Sequence, residues 1–186
     1  MAFLAESAKT VAACAFPTSI GTMALAWRDE KIVGIFLPEA NDKRLLAQVR
    51  KRLRSPRLEF TAQLPGFVGQ LAAQLRTHLR GHAQNFSLDH IALPQRAPFT
   101  RKVYECSQRI PYGKVLTYRE LAERAGSPKA CRAVGQAMAK NPFPIVIPCH
   151  RVVGSTKNSG GFSAHGGLAT KARILEIEGL RRAEQA

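Results

Sequence analysis

The chain predicts an α+β fold, and three observations carry that prediction. Two apolar runs, residues 22–27 and 32–37, flank the polar turn Arg28-Asp29-Glu30-Lys31, the pattern of a hairpin. The second half instead places apolar residues at helical spacing behind good capping residues. Between the two lies Leu93-Pro94-Gln95-Arg96-Ala97-Pro98, a proline-bearing run that marks a boundary. The expected organisation is a small α/β domain with an antiparallel sheet at 1–93. A mostly helical domain follows at 98–186.

Each element has a local reason. Residues 1–10 read as a loose terminus, and the hairpin occupies 15–38. Asn41 or Asp42 caps a basic helix that runs to about Leu53. A second amphipathic helix, from Pro65 to Leu79, carries Phe67, Leu71, Leu75 and Leu79 four residues apart. Phe86 to Leu88 is a candidate short strand. A helix over 99–109 leads to the turn Pro111-Tyr112-Gly113-Lys114. Thr117, with Glu120 three residues on, forms a capping box for a helix over 118–125 that stops at Gly126. Ser127 then caps a helix with Pro128 in its first position, ending before Asn141-Pro142. Two short helices joined by a tight glycine turn are a helix-turn-helix. The last helix spans 168–178 and stops at Gly179.

Composition narrows the function. Lys and Arg number 28 against 13 Asp and Glu, a net charge of +15 in 186 residues. That excess suits a polyanion, nucleic acid before membrane. The four cysteines, Cys14, Cys106, Cys131 and Cys149, form no Cys-x-x-Cys pair and no compact framework, which fits a reducing compartment. Glu6 and Lys9 interrupt the apolar start, so no leader is expected. No apolar run reaches the roughly 18 residues of a membrane span. The expected location is the cytoplasm.

The second helix of the pair is small-residue rich: Ala130, Ala133, Gly135 and Ala137 surround Arg132. A major-groove reader presents several long polar side chains to base edges. This helix offers backbone and one arginine, which suits close approach to a minor groove with Arg132 filling the place of a displaced base. A tightly packed internal helix is the ordinary alternative. Cys149 stands in Ile147-Pro148-Cys149-His150-Arg151-Val152. On an extended segment Cys149 and His150 would point to opposite faces, so a bridging water or a turn is needed for them to cooperate. The ordinary alternative is an inert buried thiol.

In order, Thr117-Tyr118-Arg119-Glu120-Leu121-Ala122, Arg132-Ala133-Val134-Gly135, Asn141-Pro142, Pro148-Cys149-His150-Arg151-Val152, Gly166-Gly167-Leu168 and Glu178-Gly179 resemble the O6-alkylguanine-DNA alkyltransferases. The match in order and spacing covers about 99–180. The first half resembles the family only through its hairpin and helix pattern. The resemblance implies a ribonuclease-H-like sheet domain and a winged-helix-like helix-turn-helix. It implies that the protein flips O6-alkylguanine out of double-stranded DNA and transfers the alkyl group to Cys149, once. His150 and Glu178, with a water, match the residues that draw off the thiol proton. Asn141 matches the brace of the active-site loop, Tyr118 the tyrosine beside the base, and Arg132 the finger that fills the gap. Thr117, Tyr118, Ala130, Cys131, Ala133, Gly135, Gln136, Lys140 and Arg151 fall with Arg132 on the implied DNA face. Pro144 and Phe162 fall where they would wall the alkyl pocket, and Val152 and Ser163 where backbone groups contact the flipped base.

Three departures stand out. The segment from Ser159 to Gly167 is slightly longer than the common pattern. Gln136 replaces a frequent glycine, and Cys131 an alanine. Some relatives hold a zinc in the N-terminal half, but Cys14, His78, His82 and His90 make no convincing ligand set, so neither metal nor cofactor is expected. The expected partner is DNA bearing O6-alkylguanine, with O4-alkylthymine a second candidate lesion. A monomer is expected, and cooperative loading on DNA is compatible with it.

Magnitudes sort the chemistry. Lowering a thiol pKa from about 8.5 to about 7 raises the thiolate fraction roughly 16-fold and lowers nucleophilicity about 5-fold, a net gain near 3-fold. Orientation in a closed site supplies up to about 7–11 kcal/mol. Proton donation to the leaving purine by Tyr118 adds about 10²–10⁴-fold. The thioether product is not exchangeable, so one protein repairs one base. Three other readings compete: a non-catalytic binder that flags alkylated bases, a helix-turn-helix regulator, and a cysteine hydrolase. Adjacent Cys149 and His150 disfavour the last, because such partners usually come from distant segments.

Overall fold

The structure, a computed structural model, describes residues 10–95, 97–155 and 161–180. Most of the expected terminus, Arg96 of the linker, and Ser159 and Gly160 of the long loop lie outside these residues.

Strands β1 (Val11–Thr18), β2 (Gly21–Arg28) and β3 (Lys31–Phe36) form an antiparallel meander, and β4 (Leu58–Phe60) adds to β1 in parallel, giving the order β3-β2-β1-β4. The expected hairpin is β2–β3, and Asp29 supplies its left-handed turn residue at φ 53°. The β1 strand was not anticipated. Its run Val11-Ala12-Ala13-Cys14-Ala15 is poor in β-branched residues, and pairing of Cys14 with Leu25 and Phe16 with Met23 overrides that weak preference.

Alternation along β2 decides what lies on each face. Ala24 and Ala26 join Val11 and Ala13 in a small-residue surface that receives Leu45 and Val49 of α1 (Asp42–Leu53). Asn41 caps α1, its side chain accepting from the Arg44 amide. Met23, Leu25 and Trp27 point the other way, into the main core with Leu71, Ala72 and Leu75 of α2 (Gly66–His78).

The C-terminal region comprises α3 (Pro98–Gln108), α4 (Tyr118–Arg124), α5 (Cys131–Ala139) and α6 (Leu168–Ile177). The capping box at Thr117 and Glu120 is present. Helix α5 starts later than expected. Ser127 does not cap it; the Ala130 amide donates to the Ser127 carbonyl, so 127–130 close as a turn and the helix begins at Cys131. Phe86 to Leu88 is irregular rather than a strand, because a side chain, Gln108, satisfies the Phe86 carbonyl at 2.7 Å. A small parallel pair, β5 (Leu116–Thr117) with β6 (Val152–Val153), ties the entry to the helix-turn-helix to the segment after Cys149.

One apolar cluster runs from Cys14 and Leu25 through Leu121 and Val134 to Ile174, across the expected boundary. Edge strand β3 also docks on the loop that leads to Cys149, the Ile35 amide donating to Pro142 O at 2.8 Å. The sheet therefore buttresses that loop. Among the described residues no helix is long and apolar enough to cross a membrane.

Candidate active site

Asn141, just beyond α5, shapes the loop. Its Nδ2 donates to Ile147 O at 2.8 Å and its Oδ1 accepts from the Phe143 amide at 2.9 Å. Between these anchors Ile145 is held at φ 74°. A β-branched residue in the left-handed region costs on the order of 1–3 kcal/mol and persists only where its surroundings over-determine it. Phe143, Ile145, Val146 and Ile147 are all buried, and Arg52 of α1 donates to Asn141 O at 2.8 Å. Packing and these hydrogen bonds supply the over-determination.

The loop delivers Cys149 into a 3-10 turn, Cys149–Arg151. The segment is a turn rather than extended, one of the two arrangements required for Cys149 and His150 to cooperate. Cys149 is 8% exposed. Burial pushes its thiol pKa up, opposed by the Asn141 side chain and the Lys171 ammonium. The resting group is therefore a neutral thiol.

His150 is fully buried, and its Nε2 lies 2.9 Å from Glu178 Oε1. That contact assigns the proton to Nε2 and leaves a lone pair on Nδ1, which has no hydrogen-bond partner among the described residues. Burial lowers the His150 pKa, and Glu178 pulls it back up. Glu178, the C-cap of α6, gathers further donors: Arg151 Nε to Oε2 and Nη2 to Oε1, both 2.8 Å, and His78 Nε2 to Oε1 at 3.0 Å. Burial alone would raise its pKa. The donors His150, His78 and Arg151 outweigh that and hold the carboxyl far below the usual range.

Lys171, on α6, is fully buried and donates to Val152 O at 2.6 Å. Burial lowers its pKa to about 8, with the Cys149 sulfur acting in the opposite direction.

An open cleft of about 440 Å³, a size within the range of small-molecule sites, exposes Cys149 toward Tyr118, Gly135, Met138, Phe162 and Ser163. Burial raises the Tyr118 phenol pKa, and the nearby Cys149 sulfur adds to it, so the phenol keeps its proton. Pro144 meets Cys149 and Phe162 on a second cavity, beside Arg52. Ser163 Oγ donates to Ala139 O at 3.1 Å, fixing its segment against α5.

On α5, Arg132, Ala133, Gln136 and Lys140 are exposed, while Ala130, Cys131 and Gly135 are half-buried. Three expected site residues are engaged within the protein. Arg151 is not a free DNA contact: it is 7% exposed and its guanidinium is engaged by Glu178 and Ile110 O. The Thr117 hydroxyl is taken by the capping box, accepting from the Glu120 amide and donating to Glu120 Oε2. Val152 is buried in β6, and the backbone carbonyl expected at the flipped base accepts from Lys171.

Sequence reasoning passed over Lys171 and Arg52, and weighed His78 only as a metal ligand. His78 sits beside the Leu71-Leu75-Leu79 stripe with its partner 100 residues away, so local spacing carried no signal. The described residues contain no group of three or more His, Cys, Asp or Glu placed to hold a metal ion.

Comparison with known proteins gives a consistent picture. Residues 98–180 match the DNA-binding domain of 6-O-methylguanine DNA methyltransferase. The constitutive methylated-DNA–protein-cysteine methyltransferase of Bacillus subtilis is 35% identical over 173 residues, 90% of this chain and 95% of that protein. The Homo sapiens methylated-DNA–protein-cysteine methyltransferase is 48% identical over 93 residues, covering 50% of this chain and 44% of its own length. A crystal structure of Mycobacterium tuberculosis OGT in complex with DNA superposes with a TM-score of 0.70 at 26% identity, covering 90% of this chain and 92% of that one. The O6-methylguanine-DNA methyltransferase of Pyrococcus kodakaraensis gives 0.70 at 27% identity, over 92% and 100% of the two chains.

Proposed function

From the premise that the chain belongs to the methylated-DNA–protein-cysteine methyltransferase family, we propose that its own residues divide the work of alkyl transfer as follows. The protein repairs DNA by moving the alkyl group of O6-alkylguanine to a cysteine, and Cys149 is that cysteine. Its sulfur forms the new S–C bond as the C–O6 bond breaks. The thiol proton passes through one water to the free lone pair of His150 Nδ1, and Glu178 steadies the resulting imidazolium. Tyr118, still protonated, donates to the departing purine. Because the resting thiol is neutral and buried, catalysis rests on orientation and coupled proton transfer rather than on a preformed thiolate.

Arg132, exposed on α5, fills the gap left by the flipped base, and Lys140 contacts phosphate. Flipping costs a few kcal/mol, least where pairing is already weakened, so lesions are selected by weakened pairing and pocket fit. The substrate places the protein in the compartment that holds DNA. Phe162 and Pro144 wall the alkyl group.

The observation that carries the reading is the cleft shared by Cys149 and Tyr118, with His150 and Glu178 ordered behind the sulfur. The test mixes the protein with duplex DNA carrying labelled O6-methylguanine. One equivalent of label on Cys149, and none on Cys149→Ala, is expected. Label that stays on tightly bound DNA, or repeated turnover, overturns it.

A further inference from the structure

His78 comes from α2, an element that the chemistry above does not use. Its ring is 1% exposed, and its Nε2 lies 3.0 Å from Glu178 Oε1. That is the oxygen His150 Nε2 approaches at 2.9 Å. Two imidazoles from segments more than 70 residues apart therefore converge on one carboxylate oxygen. Both Nδ1 atoms are buried without a hydrogen-bond partner among the described residues. A packing histidine would not need this aim: Phe86 and Tyr112 already enclose the ring at 5.3 and 5.1 Å.

We infer that His78 is a positioning residue of the transfer reaction: its Nε2–H holds the same Glu178 Oε1 that His150 engages, and so fixes the carboxylate that steadies His150 as it receives the thiol proton.

The groups that face His78 are few. Glu178 comes from the end of α6, His150 and Arg151 from the 3-10 turn, and Tyr112 from the turn after α3. Tyr112 is held protonated, first by burial and then by the Glu178 charge, and so stays neutral on the acid side. Arg151 keeps its charge throughout. His78, His150 and Arg151 share Oε1, so loss of the His78 N–H leaves that oxygen to the other two and frees the carboxylate to turn from the line it keeps with His150.

This inference rests on Cys149, His150 and Glu178 acting as proposed, and two variants test it. His78→Gln keeps an N–H donor at the Nε2 position, and His78→Phe removes it. The assay is the single-turnover rate of benzyl transfer from free O6-benzylguanine to Cys149, read by mass spectrometry. His78→Phe is expected to slow transfer by about 10-fold, the scale of one hydrogen bond to a charged group, and His78→Gln to restore most of the wild-type rate. A His78→Phe rate within about twofold of wild type, or a folded His78→Gln as slow as His78→Phe, overturns the inference. Should His78→Phe fail to fold, His78→Gln decides alone: a rate within about threefold of wild type supports the inference and a loss of about 10-fold sinks it. A wild-type protein that gains no adduct on Cys149 would instead refute the underlying reading.

Discussion

Replacing Glu178 with glutamine tests the geometry behind Cys149 most directly. The wild-type carboxylate receives a bidentate Arg151 at 2.8 Å on each oxygen and two imidazoles at 2.9 and 3.0 Å. Glutamine keeps one acceptor oxygen and turns an NH₂ toward groups that are themselves donors. Arg151, 7% exposed, is left charged with Ile110 O as its remaining close acceptor. Stranding one member of a buried ion pair costs about 3–5 kcal/mol. At about 2–4 °C per kcal/mol for a chain of this length, Tm falls by roughly 6–20 °C. The pH dependence has a fixed sign. Glu178 has a depressed pKa when folded, so its stabilisation is complete above the unfolded carboxylate value, about 4.3, and is lost as pH falls through the folded value. The deficit of Glu178→Gln is therefore full at neutral pH and shrinks only below about pH 4.3. Pairing it with Arg151→Met removes the stranded charge and recovers much of the loss. Calorimetry and urea unfolding of the four proteins of this cycle measure it. A deficit below about 1 kcal/mol, or a double variant no more stable than Glu178→Gln alone, would refute the reasoning.

Two further variants probe neighbouring parts. Arg132→Ala should slow transfer from duplex DNA by about 10–100-fold, the equivalent of about 1.4–2.8 kcal/mol of unstacking no longer offset; single-stranded substrate, which needs no unpairing, should lose much less, and equal losses on both would show that Arg132 only adds charge. Lys171→Met should slow transfer at neutral pH, because the ammonium that opposes the rise of the Cys149 pKa is gone. Its stability signature has the same pH sense as that of Glu178, rising with pH, but in an alkaline window. The folded lysine deprotonates near 8 and the unfolded one near 10.5, so wild type gains stability relative to the variant between those values, by at most roughly 3 kcal/mol. A difference that stays flat across that range in parallel unfolding curves would count against the buried ammonium.

What the sequence disclosed follows the range over which each signal acts. The β2–β3 hairpin, the Asn41 cap, the Thr117–Glu120 box and the Gly179 stop are local, written in residues a few positions apart. Strand β1 was hidden because three alanines say little about pairing that Leu25 and Met23 decide from another strand. The start of α5 was misread because Ser127-Pro128 has the composition of a helix start, while the Ala130–Ser127 hydrogen bond closes a turn instead. At the site, Cys149, His150, Tyr118 and Asn141 stood out as types in an ordered series. Arg151 looked like a surface cation because nothing nearby in the chain announces a carboxylate 27 residues on. The pairing of His78 with Glu178 was invisible for the same reason at greater distance, and Lys171 because a buried lysine is improbable until its carbonyl partner is seen.

The neutral, enclosed thiol of Cys149 has one more consequence. A protein that acts a single time must not squander its nucleophile before a lesion arrives. It is the thiolate that attacks peroxide and disulfides, and reactive cysteines are exposed ones. Cys149 is 8% exposed and kept protonated by its own burial. On the role proposed for Cys149, low resting reactivity gives this single-use protein a long shelf life: a buried, protonated sulfur is a poor target for oxidants until an alkylated base closes over it.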